Sequence, residues 1–421
     1  MPAGRNSPRM DRPGRATLWV IVASATLTVM AGAILGPVVP GIQDGLDITE
    51  SQAGLVITTH AAFIVLASPL AGAAIDRFGP RRPYAFGLGI YAVGGGAGLG
   101  IDAYVPLLAS RAVLGVGVAF VHTGITVLIY EYYTGQAMDR ALGLRTGANS
   151  VGAAVWPLVG GALGVIAWQV PFAVYLVAAP LGVAALLVLP EPLDAASSEA
   201  AGGDASTAAT SDDAPATVDD DNDNTPATAS GVVGVFASRP SLLAVYLLYG
   251  AANALLYAIV VFYPQLLETL GVASALGISL YLSANGVAGG IAGASYDRLK
   301  QATGSLWLVA VAFLLWTIGF GTAAVVESPA AAFLPVVLFG IGLGLVFPSS
   351  FVWVERLAPT DRQGQFGSYV AMAGYIGQFS APVVFGPLVA PFGVRAVFSA
   401  AALAAVGGLA AVGVALWRSN Q

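Results

Sequence analysis

Few side chains in this chain are equipped for chemistry, and several of those lie inside long apolar runs. His60 and His122 are its two histidines. An imidazole titrates at about pH 6.5 when unperturbed, so either one could carry a proton. Arg111 could hold an anion, while Asn253, Asn285 and Gln378 could direct hydrogen bonds to a solute. Tyr246, Tyr249, Asn253 and Tyr257 recur at intervals of 3, 4 and 4 residues, which is one stripe of a helix. Tyr369 and Tyr375 sit in another apolar run. A sparingly polar, aromatic cavity of this kind suits an amphiphilic organic compound. No acid lies at the same depth. That argues against a central carboxylate as proton carrier and against a polycationic solute. Arg111 and His122 share a helix face 11 residues apart. At about 1.5 Å per residue they are about 16 Å apart, too far for contact.

Other chemistries are excluded. The chain has no cysteine, so disulfides, thiolate metal sites and cysteine nucleophiles are absent. It carries no metal-ligand cluster, nucleophile elbow or phosphate loop, so neither an enzyme nor a bound metal or cofactor is expected. Gly340-x-Gly342-x-Gly344 has the spacing of a nucleotide-binding turn but follows no strand, and helix packing accounts for it. A formal net charge of −6 gives no reason to expect nucleic acid.

The elements that position these residues follow from composition. The 421 residues are 57% hydrophobic and 10% charged, against about 25% charged in soluble domains. Lipid must be the solvent for most of the surface, and the spanning elements must then be helices, since the apolar runs exceed barrel-strand length. Runs of span length fall near 16–38, 51–74, 82–101, 104–131, 138–165 and 168–189. A second set falls near 240–268, 273–296, 303–326, 330–356, 362–390 and 394–417. The expected fold is all-α and integral to the membrane, with twelve helices in two six-helix bundles, 1–190 and 239–421. Between them, 191–238 is rich in Ala, Ser, Thr, Asp and Pro and reads as a disordered acidic linker.

Of the 17 basic residues, all but Arg111 and Arg395 fall on one side of this topology, Arg140 and Arg145 at the opening of span five among them. The positive-inside rule makes that side cytoplasmic, with both termini on it. Charge concentrates there in GAAIDRFGPRRP, Gly72 to Pro83, which holds Asp76, Arg77, Arg81 and Arg82. Asp76 can face the positive N-terminus of a neighbouring helix. The arginines can pair with acids at helix ends such as Glu131. The cluster reads as a latch, closed in one orientation of the bundles and open in the other. Gly293, Asp297 and Arg298 repeat the pattern after the second span of the second half. Two parallel six-span repeats are the signature of a rocking transporter.

Gly72-x-x-x-Asp76-Arg77-x-Gly79-x-Arg81-Arg82 resembles the signature loop of the major facilitator superfamily, and Gly293-x-x-x-Asp297-Arg298 its degenerate copy. Arg111-x-x-x-Gly115-x-Gly117 resembles the family's fourth-span motif. Gly152-x-x-x-Trp156-Pro157-x-x-Gly160-Gly161 resembles the fifth-span motif of its antiporters, where small residues let the helix bend and pack closely. Trp156 stands where that motif prefers glycine. Leu35 to Pro40 looks like the end of span one in multidrug exporters. The resemblance implies a monomeric secondary active transporter of small organic solutes in the cell membrane, with proton-coupled export as the leading expectation. Uptake of an organic anion, held by Arg111, is the alternative. A sensor or scaffold that transports nothing is the alternative of another class.

Overall fold

The computed structural model describes residues 14–190, 234–236, 238–359 and 363–419. The expected linker lies almost wholly outside the described residues, as do Asp361 and Arg362. No strand occurs among the described residues. The first six helices are α1 (Arg15–Leu46), α2 (Glu50–Phe78), α3 (Arg81–Gly96), α4 (Tyr104–Tyr132), α5 (Gly135–Gly164) and α6 (Val170–Val188). The second six are α7 (Pro240–Thr269), α8 (Ala275–Ala294), α9 (Ser305–Val325), α10 (Phe333–Leu357), α11 (Gln363–Phe385) and α12 (Arg395–Ser419). By length and composition, 10 of these could cross a membrane. The two that fall short have plain reasons. α3 has 16 regular residues before a 3-10 turn at Ala97–Gly100, and α5 carries Asp139, Arg140 and Arg145 in its first half. α3 packs inside the first bundle, and α5 packs on α1 and on the second bundle's α8.

Sequence punctuation sets the ends. α1 passes its expected end at residue 38 because Pro37 and Pro40 fall in the first turn of new helical segments, where a missing N–H costs nothing. α2 opens on a capping box, with Thr49 and Gln52 satisfying each other's backbone N–H groups. It closes at Gly79, whose φ of +71° a side chain would resist. The second repeat departs here. After α8 a short helix, Tyr296–Thr303, carries the Asp297-Arg298 motif and ends at Gly304, φ +83°. The copy therefore runs one helical turn further past its Asp-Arg pair before the chain reverses.

α4 packs on α2 and α3, and α10 packs on α8 and α9. Between the bundles the main contacts are α5 with α8 and α2 with α11. Under a six-helix duplication α2 corresponds to α8 and α5 to α11, so one contact is made twice. Glycine permits the close crossings. A Cβ on Gly117 would lie 2.5 Å from Tyr91 N, and one on Gly340 or Gly344 would collide with the α8 backbone at Asn285 or Gly289. The Gly340–Gly344 run is thus a packing seam.

The bundles meet at the face opposite the basic motif. There Ser51 Oγ donates to Pro382 O at 3.2 Å. Cβ atoms on Gly54 and Gly161 would lie 2.7 Å from Pro382 Cβ and 2.5 Å from Ser279 Cβ. Toward the basic face Gly72, Gly143 and Gly147 have open space around the Cβ position, and Leu66 and Leu70 on α2 are exposed. These glycines make no such close approach across the bundles.

Candidate functional site

Two polar contacts sit deep in the structure on helices that face the opposite bundle. His122 on α4 lies 3.4 Å from the Tyr375 hydroxyl on α11, with the rings edge to face at 5.9 Å. This bond crosses from one bundle to the other, and both residues are half-buried. Within the second bundle Gln378 Nε2 donates to Asn253 Oδ1 at 3.2 Å, while Asn253 Nδ2 donates to Tyr249 O at 2.9 Å. Tyr249 lies against Phe347 and Phe351 at 4.9 and 5.6 Å between centroids, an aromatic wall on α7 and α10.

The tyrosine stripe of α7 serves two neighbours. Tyr246 donates to Phe366 O of α11 at 2.8 Å. Tyr257 reaches the other way, its hydroxyl filling the space beside Gly32 of α1. On α11, Tyr369 meets Phe366 edge to face, with centroids 5.6 Å apart. His60 is closed off, with 1% of its surface exposed and Nδ1 2.7 Å from Ile57 O. Of the two histidines, His122 is the one at the bundle junction.

Arg111 is elsewhere than the alternative reading requires. It is fully buried within the first bundle. Its Nε donates to Val56 O at 3.1 Å and one Nη to Ala31 O, and its guanidinium lies 5.2 Å from the centre of the Tyr175 ring. Backbone carbonyls of α1 and α2 are tied to α4 in this way, while Nη1 is buried without a partner. Asn285 is likewise committed, donating to Val336 O of α10 at 2.9 Å.

Arg145 is a residue that sequence reasoning missed. Its neighbour Arg140 made it look like a topology signal. It is placed well inside α5, with Nη1 donating to Thr126 Oγ1 of α4 at 3.0 Å. Thr126 in turn bonds the carbonyl of His122 at 3.1 Å. Asn149, one turn along α5, has a buried Oδ1 with no partner. The four-residue spacing of Arg145 and Asn149 is the signal that could have flagged them.

On the basic face Asp76 is exposed and accepts no side-chain hydrogen bond from a described residue. Arg77 lies over Phe78 at 5.3 Å, and Arg81 donates to Leu186 O of α6. Arg82, Glu131, Asp297 and Arg298 are exposed. In the fifth-span motif, a Cβ on Gly160 would overlap the Ile34 carbonyl of α1, and one on Gly161 would meet α8. Pro157 is buried inside the helix. Gly152 is less constrained, a Cβ there lying 3.2 Å from Trp156. The Trp156 indole fits, donating to Thr26 O of α1 at 3.0 Å.

Residues 21–382 match the model of the Major Facilitator Superfamily. Multidrug resistance protein 1 of Bacillus subtilis is 24% identical over 378 residues, covering 88% of this chain and 89% of that protein. The nucleoside transporter NupG, as its D323A mutant, superposes with a TM-score of 0.76 at 13% identity, over 95% of this chain and 99% of that one. A D-xylose-proton symporter superposes with a TM-score of 0.72 at 16% identity, over 93% and 96%. Two parallel six-helix bundles, the Gly72–Arg82 motif and its copy, and a family match over most of the length agree: the chain belongs to the Major Facilitator Superfamily and is a multi-pass membrane transporter of small organic solutes.

Proposed function

We propose that this transporter exports small organic compounds across the cell membrane in exchange for protons, by alternating access and as a monomer. The basic face is the cytoplasmic one, because its arginines resist translocation. Both termini then lie inside, and the arrangement described above is the inward-open state. The latch of Gly72, Asp76, Arg77, Gly79, Arg81 and Arg82, with Glu131, Asp297 and Arg298, is released in this state and engages when the bundles close on the cytoplasmic side. The observation that carries the reading is the His122–Tyr375 bond. It joins the bundles through an imidazole, a side chain able to take up and release a proton, so protonation and rocking act on the same contact. The near full-length similarity to a multidrug resistance protein supports export.

The test is expression in an efflux-deficient host, scored for growth across a panel of amphiphilic inhibitors, with everted vesicles carrying a pH gradient. Export predicts raised inhibitory concentrations for some compounds and dissipation of the gradient when they are added. Normal susceptibility to every compound, at verified membrane expression, together with an undisturbed gradient, would remove the proposal.

A further inference from the structure

We infer that Arg145 is the anion-binding element of the transport site and that the preferred substrates are aromatic or amphiphilic organic acids. The inference rests on the transport reading above and names its substrate class. An arginine at membrane depth is costly unless it is neutralised. Arg111 is sealed inside the first bundle, held by two backbone carbonyls and an aromatic face with Nη1 buried and unpartnered. Arg145 is not: its bonded partner is the neutral hydroxyl of Thr126, and no carboxylate among the described residues pairs with it. Its remaining guanidinium nitrogens are not sealed off, since none of them is a buried unpartnered atom. His122, Tyr375 and Tyr130 lie within electrostatic reach of its charge. Its partner Thr126 lies one turn from His122, the α4 residue that meets Tyr375 of α11, so the group sits beside the junction between α4, α5 and α11. One turn along α5, Asn149 holds out a buried polar oxygen that nothing in the described chain satisfies.

The arrangement has the chemistry of a carboxylate or sulfonate pocket. The planar guanidinium offers two parallel donors, a geometry that fits an oxyanion and that lysine lacks. Tyr375 can supply a further hydroxyl donor. The apolar part of the ligand has a wall to lie on, because Tyr249 contacts the α11 turn carrying Tyr375, 2.7 Å from the Cβ position of Gly374. Phe347 and Phe351 extend that wall. A cation of the same shape would meet Arg145 and be repelled.

Three ligands with one aromatic body separate charge from shape: 2-naphthoate, 2-naphthamide and 2-naphthylmethylammonium. Equilibrium dialysis of the radiolabelled compounds against the purified full chain is expected to rank them in that order. Arg145→Gln should weaken naphthoate binding roughly ten- to hundred-fold, the range of a lost charge-assisted pair, and leave naphthamide unchanged. Arg145→Lys should recover part of the loss, and Tyr375→Phe should cost a few-fold. Monodisperse elution of each variant guards against misfolding. No binding of naphthoate at millimolar concentration, equal or better binding of the cation, or a naphthoate preference that survives Arg145→Gln overturns the assignment. Export is scored separately on the compounds that the susceptibility panel selects. Loss of anion preference with export intact removes this inference alone, and anion binding without export removes the transport reading alone.

Discussion

Replacing Gly161 by alanine adds one methyl group at the seam between the bundles. Its Cβ would lie 2.5 Å from Ser279 Cβ and 2.6 Å from Ala275 O. Carbon atoms in ordinary contact are about 3.5–4.0 Å apart, so α5 and α8 must separate by about 1 Å at this end. Overpacking of this size costs about 1–3 kcal/mol. The cost falls on the state in which the bundles touch there, because the contact opens when they rock. The helix gain from glycine to alanine, about 1 kcal/mol, is shared by both states and cancels. The touching state should therefore lose about 5- to 150-fold in relative population. The chain has no native cysteine, so Ile166→Cys and Leu276→Cys, both exposed at this face, can carry spin labels without background. Pulsed dipolar spectroscopy should show the short-distance population shrinking in Gly161→Ala. Gly143→Ala, which enters open space, should leave the distribution unchanged. Gly160→Ala meets the Ile34 carbonyl inside its own bundle and should lower folded yield instead. An unaltered distance distribution in Gly161→Ala would refute the argument that this glycine sets the approach of the bundles.

Asp76→Asn should impair transport while insertion, expression and thermal stability stay near wild type, because the exposed carboxylate accepts no side-chain hydrogen bond from a described residue; full transport by the inserted variant would remove the latch role. His122→Gln should abolish accumulation driven by a pH gradient while sparing substrate exchange, with His60→Asn as the comparison; if both variants keep full gradient-driven transport, coupling lies outside the histidines. Arg111→Lys should lower the melting temperature of the purified protein, since an ammonium cannot span Val56 O and Ala31 O as the guanidinium does. The expected loss is about 1.5–3 kcal/mol for a charge-assisted hydrogen bond removed from a buried site, with Ala31 O keeping the Tyr175 hydroxyl as donor, and an unchanged melting curve would argue against the clamp.

The sequence by itself determined the class of molecule and its duplicated design. Lipid exposure is a property of composition, span length a property of local hydropathy, and the capping box of α2 and its closing glycine are written in adjacent residues. The motif pair at Gly72 and Gly293 disclosed the repeat for the same reason. Side-chain partners are not local. Arg111 and His122 lie on one face of α4 in any helical reading, yet one is locked among α1, α2 and α6 and the other meets α11. That difference arises because the neighbours of the helix change along its length. His122 and Tyr375 are 253 residues apart, and only the docking of one bundle on the other brings them together. Asn285 looked equivalent to Asn253 as an amide within an apolar run. Helix rotation turned the first toward α10 and the second toward Gln378. Arg145 was legible as a charge but not as a site, since tertiary packing decides whether a basic residue near a helix start lies outside the membrane or points in between the bundles.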